Sequence, residues 1–358
     1  MTTALEQDYL QTEIKNGIGF ITLNRPSALN TLNISMVRVM YGALIEWSNN
    51  NLVKAVVVRG KGEKAFCAGG DVRRVHECIV KGLSEYDDFF KEEFALNEYI
   101  YNYPKPYIAL MNGIVMGGGM GITQGASFRI VNETTRIAMP ETAIGYFPDV
   151  GASYFLTRHD PAIANYLGLT GKNLNHYDAL FCKLADWSLP SERWVDFLNA
   201  LEDLGNLASA ETELKNEITK ILQSLNGSRD YVDSEVYENM DLIKTVFSSD
   251  SLHAIFSELN NLSDNTWSNE TKASMLRNSP LAMAATLQLL SQGRKLGLSE
   301  CFKIELELTQ HWRTKGEFVE GVRAALIDKD KNPKWKYSID NVDQAFLKQH
   351  FPALFKYH

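Results

Sequence analysis

Hydrophobic and polar positions change their rhythm about halfway along the chain. Over roughly the first 160 residues, short β-branched runs alternate with amphipathic stretches, as expected where strands and helices share one α/β core. Gly19–Leu23 (GFITL) reads as a strand closed by Pro26. From Asn33 to Ser48, Met36, Met40, Leu44 and Trp47 recur at helical spacing and form one apolar stripe. Ala55–Arg59 (AVVVR) is a second strand, and Tyr107–Met116 (YIALMNGIVM) repeats the pattern. Within Phe128–Met139, FRIV and RIAM flank polar Asn132–Thr135 and read as two strands joined by a turn.

From about Leu189 strands vanish, and the sequence is Leu-rich, charged and helical in period to about Ile327. Asn226-Gly227-Ser228 and Asn261–Asn265 read as helix breaks, too short and too apolar in context to be disordered linkers. No repeat of solenoid length is evident. The expected organisation is an α/β core over residues 1–195 and a predominantly helical region over 196–358.

Composition narrows the classes. With 358 residues, 45% of them hydrophobic, the chain can bury a core that folds without staples. Acidic residues number 44 against 36 basic, a net charge of -8, which argues against nucleic acid or an anionic membrane as the main partner. Cys67, Cys78, Cys182 and Cys301 are widely spaced, so neither a zinc site nor a disulfide framework is indicated, and they read as reduced thiols. The opening MTTALEQDYL is acidic and lacks signal or transit character, so a cytoplasmic location is expected. No apolar run approaches the roughly 18 residues that a membrane helix needs.

Three segments could carry chemistry. Met116-Gly117-Gly118-Gly119-Met120-Gly121 follows a strand and opens a helix. Three glycines start a helix poorly, so bare backbone serves another end there: close packing against a strand, or free N–H groups for an anion or a developing oxyanion. The spacing fails both phosphate fingerprints, because no Gly-Lys-Ser/Thr follows and Ile122 stands where G-x-G-x-x-G needs glycine. Cys67-Ala68-Gly69-Gly70-Asp71 is a second glycine loop, either an ordinary turn with Asp71 as a helix cap or the second donor of a shared oxyanion site. Pro140-Glu141 through Asp149 sets two carboxylates eight residues apart in an apolar segment. An acid among apolar neighbours tends toward a raised pKa, which suits proton transfer or nucleophilic attack. Both acids also suit helix starts, Glu141 after a Pro at the first position and Asp149 ahead of Gly151. His76-Glu77 lacks a second histidine at Val80, and Ser153 lacks the second glycine of a nucleophile elbow.

Together the stretches NRPSALNTL (Asn24–Leu32), KAFCAGGDV (Lys64–Val72), NGIVMGGGMG (Asn112–Gly121), AMPETAIGYFPDVGASYFL (Ala138–Leu156) and EGVRAALIDKDKNPKW (Glu320–Trp335) resemble the crotonase (enoyl-CoA hydratase/isomerase) superfamily over nearly the whole chain. The last two stretches resemble its branch of 3-hydroxyisobutyryl-CoA hydrolases, thioesterases of valine breakdown. The resemblance implies a crotonase-like spiral of ββα turns followed by helices, with the backbone N–H groups of Gly70 and Gly118 as the oxyanion hole. In hydratases of this superfamily one acid follows the triple-glycine loop, where this chain has Gly121. The second matches Glu141, and Asp149 stands where hydratases commonly have glycine. The resemblance therefore implies cleavage of an acyl-CoA thioester by Glu141 and Asp149, with Glu93 near the 3-hydroxyl of the substrate, no metal and no cofactor beyond the CoA of the substrate. The lysines at 329, 331, 334 and 336 either meet the phosphates of CoA or form a solvated face. A hydratase or isomerase of the same fold, and a binding protein without turnover, stay open. Many relatives assemble through C-terminal helices, which leaves a homo-oligomer open as well.

Overall fold

A computed structural model describes residues 9–205 and 211–356, so all but the last two residues of the acidic opening segment lie outside the described residues. The described chain enters through a hairpin. Asn16 and Gly17 take positive φ, 49° and 79°, in the two-residue turn whose twist matches that of paired strands. The turn joins β1 (Leu10–Lys15) to β2 (Ile18–Leu23), with Leu10 opposite Leu23 and Lys15 opposite Ile18. Hydrophobic runs reveal β2 and pass over β1, whose LQTEIK is exposed beyond its first residue. The Asn-Gly pair was the better signal.

Helix α1 (Ile34–Asn49) returns the chain to β3 (Ala55–Gly60), parallel to β2. The Asn33 side chain caps α1 by accepting the Met36 N–H at 2.9 Å. Trp47 ends the apolar stripe of α1 and lies on β2, where a Cβ on Gly19 would come within 2.5 Å of the indole. After β3 each turn gains a short strand. β4 (Ala65–Cys67) precedes α2 (Val72–Lys81) and α3 (Glu85–Tyr101), and β5 (Tyr107–Met111) is followed by β6 (Ile114–Met116) and α4 (Gly118–Gln124). β7 (Phe128–Val131) is followed by β8 (Arg136–Ala138), and β9 (Trp187–Ser188) comes last. The long strands form one sheet in the order β1-β2-β3-β5-β7-β9, parallel from β2 onward, and β4-β6-β8 form a second. Two strands and a helical return per turn make the expected ββα spiral.

Two stretches divide where the hydrophobic pattern ran on. Tyr107–Met116 splits at Gly113, whose φ of +58° turns the chain out of the large sheet. A side chain there would collide with the Lys64 carbonyl. FRIV and RIAM are joined by the expected turn, which Asn132 and Thr135 hold together, yet they enter different sheets. Strands β2, β3 and β5 are buried over most or all of their length, as expected for parallel strands covered on both faces. Alternate residues Ile18, Phe20, Val57, Ile108, Leu110 and Ile130 pack against Phe197 and Leu201 of helix Trp194–Gly205 and Ile218 of helix Glu211–Ser224.

The chain forms two units that interleave along the sequence. The first gathers the chain up to Gly70 with Ala95–Ile137 and Asn173–Tyr237, and holds the strands just described except Ala138. The second gathers Asp71–Phe94, Ala138–Lys172 and the chain from Glu238 onward. It is built of helices, among them Pro161–Thr170, Met240–Phe247, the almost wholly buried Pro280–Gly293, and Leu298–Lys315. Among the described residues no strand follows Ser188, so a division near residue 195 separates strand-bearing from helical chain, while the two units cut across it. No helix among the described residues is long and apolar enough to cross a membrane.

Candidate active site

In the first unit the two glycine loops abut. Gly69 has φ +116°, and a Cβ on it would lie 3.4 Å from the Met116 carbonyl oxygen and 3.8 Å from the Gly118 nitrogen. The approach is closer still at Gly119, where a Cβ would collide with the Cys67 carbonyl. Gly117 takes φ 48° and ψ -119° at the cap of α4. Conformation and contact thus explain the glycine run without any appeal to flexibility. Gly118 is the first residue of α4, so its N–H has no intrahelical acceptor. Among the described residues neither the Gly118 nor the Gly70 N–H donates to a protein acceptor.

The segment Asn24–Leu32 braces the first of these loops. The Leu32 N–H donates to the Gly69 carbonyl at 2.8 Å and the Ala68 N–H to the Leu29 carbonyl at 3.0 Å. Fully buried Asn30 donates to the carbonyls of Ala65 (2.8 Å) and Lys61 (3.1 Å) and accepts the Arg25 N–H at 2.8 Å.

The second unit holds the acids. Glu141 opens a single 3-10 turn, Glu141–Ile144, that Gly145 closes with φ 70°. Its side chain is only 7% exposed and leaves Oε2 buried without a hydrogen-bond partner. Burial pushes the carboxyl up to about 8. The helix-start reading of Glu141 therefore holds for its backbone, while the side chain is left over. The turn itself is firmly held: Ser279 N–H donates to the Thr142 carbonyl at 3.0 Å, and Asn278 donates to Thr142 Oγ1 at 3.1 Å.

Asp149 is 6% exposed, and its backbone carbonyl, not its side chain, accepts the Ala152 N–H at 2.8 Å ahead of the short helix Ala152–Phe155. Burial raises its pKa well above the usual carboxylate range, and the charges of Glu141, Glu93 and Glu305 raise it further. Val150 follows with φ 52°, a conformation that costs a β-branched residue about 1–3 kcal/mol. Strain of this size beside a buried acid marks a turn held by its surroundings.

Glu93, on α3, is no solvated helix residue. It is 2% exposed, its Oε1 is buried without a partner, and burial pushes it up to about 8. Aromatic rings crowd the same region: Phe90 stacks on Tyr146 at 5.9 Å between centroids, and Tyr146 on Phe147 at 4.4 Å. The structure thus brings Glu93, Glu141 and Asp149 within one buried, electrostatically coupled group.

Sequence reasoning missed a fourth acid. Glu305, fully buried on helix Leu298–Lys315, accepts the Gly151 N–H (2.7 Å), the Ser153 N–H (2.9 Å) and the Ser153 hydroxyl (2.5 Å). The signal was present: Cys301, Ile304, Glu305, Leu308 and Trp312 recur at helical spacing on a buried face, and a charge there needs partners. The lysine run stays outside. Lys329, Lys331, Lys334 and Lys336 are exposed, and neighbouring Asp328 and Asp330 are engaged by Arg323. Among the described residues all four cysteines are buried and outside any disulfide, and no group of His, Cys, Asp or Glu is arranged to hold a metal ion.

A family model described as enoyl-CoA hydratase/isomerase matches residues 18–351. A Danio rerio protein named 3-hydroxyisobutyryl-CoA hydrolase, mitochondrial, is 37% identical over 94% of this chain and 87% of its own. Among solved structures, a carnitinyl-CoA dehydratase from Mycobacterium thermoresistibile superposes with TM-score 0.88 at 31% identity, covering 96% of each chain. An enoyl-CoA hydratase from Rhodobacter sphaeroides 2.4.1 does so with TM-score 0.84 at 35% identity, over 96% of this chain and 97% of its own.

Proposed function

Because the chain belongs to the enoyl-CoA hydratase/isomerase family, we propose that it hydrolyses the thioester of 3-hydroxyisobutyryl-CoA, and of the smaller 3-hydroxypropionyl-CoA, to the free acid and CoA. The observation that carries this reading is the buried pair Glu141 and Asp149, with an oxygen of Glu141 free of any protein partner. The name of the Danio rerio relative supports the choice of substrate.

In this mechanism the N–H groups of Gly70 and Gly118 stabilise the negative charge that develops on the thioester oxygen. The Glu141 carboxylate attacks the carbonyl carbon, CoA leaves as the thiolate, and water cleaves the resulting mixed anhydride to acid and free Glu141. Alternatively Glu141 takes a proton from the water that attacks directly. A thiol leaving group has a pKa of about 8.5, so it needs little acid assistance. Asp149, held protonated by burial and by its acidic neighbours, carries the proton between water and thiolate. Two coupled acids share protons as a pair, so ionising Glu141 tightens the hold of Asp149 on its own. Glu93 binds the 3-hydroxyl. The acyl-CoA substrate supplies the CoA, and no step calls on a further cofactor.

The names of the two solved structures favour a second reading, hydration of an enoyl-CoA. That chemistry sets two acids about one water, and Gly121 leaves one of those positions without a side chain. Supplying 3-hydroxyisobutyryl-CoA and crotonyl-CoA separately, with free thiol and enoyl absorbance followed in parallel, decides the matter. Thiol release from the first substrate is expected. Loss of enoyl absorbance without thiol would establish the hydratase, and silence in both assays a binding protein. The relative is named mitochondrial, whereas four cysteines outside any disulfide ask only for a reducing compartment; cell fractionation decides between that setting and the cytoplasm.

A further inference from the structure

Within the second unit, one face of helix Leu298–Lys315 holds the chain on either side of Asp149. Glu305 takes both backbone donors of the Gly151–Ser153 turn. One turn on, the Thr309 hydroxyl meets Tyr146 OH at 2.8 Å while the Thr309 carbonyl accepts Tyr86 OH at 2.9 Å. At the next turn Trp312 Nε1 donates to the Gly145 carbonyl at 2.8 Å. Positions i, i+4 and i+7 of one helix thus tie down residues on either side of Asp149.

Of these ties only Glu305 is ionisable: burial raises its carboxyl to about 7, and above that pH its charge is spent on the backbone next to the strained Val150. Its carboxylate accepts from two N–H groups and one O–H, the pattern that an ionised group requires. A neutral hydrogen-bonding residue would hold a surface turn equally well. A buried carboxylate without a basic partner is costly, and its retention here calls for a reason beyond folding.

We propose that Glu305 is a positioning residue for the reaction: by accepting the Gly151 N–H, the Ser153 N–H and the Ser153 O–H, its carboxylate fixes the turn that presents Asp149. The proposal rests on the reading of Asp149 as proton carrier. The negative charge of Glu305 also helps Asp149 keep its proton. The groups that face Asp149 are Glu141, Glu93 and Glu305 with the phenols of Tyr86 and Tyr146; those that face Glu305 are the Ser153 hydroxyl and the Cys301 thiol.

The test is thiol release from 3-hydroxyisobutyryl-CoA by Glu305→Gln and Ser153→Ala, with Asp149→Asn and Glu141→Gln as controls. The amide keeps the shape of Glu305 but must turn an N–H against one of the donors. Misplacement by about 1 Å is worth roughly 10²-fold, so kcat of Glu305→Gln should fall about that much with KM nearly unchanged. The alkaline limb of its pH profile should move to lower pH, because Asp149 has lost a neighbouring negative charge. A purely structural role would lower the profile without displacing it. Ser153→Ala keeps the charge and loses one bond, so a several-fold loss of kcat with an unmoved limb is expected; it also decides the question should Glu305→Gln not fold. Wild-type kcat in Ser153→Ala, or an undisplaced limb in a folded Glu305→Gln, overturns the proposal provided the two controls are inactive. Active controls overturn instead the reading on which it rests.

Discussion

In the proposed mechanism the two glycine loops and the buried acids place a reactive group in opposite ways. In the first unit the groups on offer are backbone N–H donors. Their position follows from sheet register, from the left-handed Gly69 and from the contact of Gly119 with the Cys67 carbonyl. A backbone N–H does not titrate. In the second unit the groups on offer are side chains whose value comes from the lack of partners, and burial alone pushes Glu93 and Glu141 up to about 8. The donor side is set by shape and the acid side by electrostatics. Substitutions that change shape and substitutions that change charge should therefore leave different signatures.

The largest effect belongs to Glu141→Gln. Removing a nucleophile or base should cost at least about 10³-fold in kcat, with the circular dichroism spectrum and CoA affinity nearly unchanged. Retention of more than a few per cent of the wild-type rate would break the assignment of the chemistry to the acid side. The pH dependence follows with its sign. In the proposed mechanism Glu141 works as the carboxylate, and burial pushes it up to about 8, so kcat/KM of the wild type should climb through that pH until loss of the Asp149 proton at higher pH brings the alkaline limb down.

The next effect tests shape alone. In Gly119→Ala the new methyl group must displace the Cys67 carbonyl or the start of α4, which carries Gly118. Losing one oxyanion donor costs roughly 10²–10³-fold in kcat. The whole pH profile should drop with its limbs in place, in contrast to Glu305→Gln. A displaced limb would mean that the glycine loops influence the ionisation of the acids, and the contrast between the two sides would fail.

The same contrast explains what could be read from the sequence. Backbone chemistry writes itself into residue type, because glycines that take positive φ, such as Gly69 and Gly117, or accept close contact, such as Gly119, can be little else; the two loops stood out for that reason, while the choice of Gly70 and Gly118 within them came from the family resemblance. The spiral was legible through β2, β3 and β5, whose buried runs are long. It was lost at β1, where a polar edge strand hides behind an Asn-Gly turn, and at Asn112-Gly113, where one apolar run serves two sheets. For the acids, sequence could nominate Glu141 and Asp149 but could not separate capping from reaction, since both uses place an acid after proline or before glycine. Burial of both acids and the unpartnered Oε2 of Glu141 bear on that choice, and neither can be read from sequence. Glu305 escaped because its partners lie some 150 residues earlier, and hydrogen bonds across that separation leave no local pattern.

The smallest effect concerns stability and tests the acid side without turnover. Glu93 Oε1 is buried without a partner, and burial alone pushes the carboxyl up to about 8 from an ordinary 4.5. Below pH 4.5 folded and unfolded chains both hold the proton, so ionisation contributes nothing to the balance. Between 4.5 and 8 the folded chain keeps a proton that the unfolded chain has released, so each rise in pH disfavours folding; above 8 the penalty is complete. Glu93→Gln removes the ionisation and keeps the shape. The melting temperature of the variant relative to wild type should therefore rise with pH from about 4.5 and flatten above about 8, against a nearly constant offset for Gly119→Ala. A Glu93→Gln offset independent of pH would show that this carboxyl reaches water or a cation in the folded protein, and that the acid side, like the donor side, is set by shape.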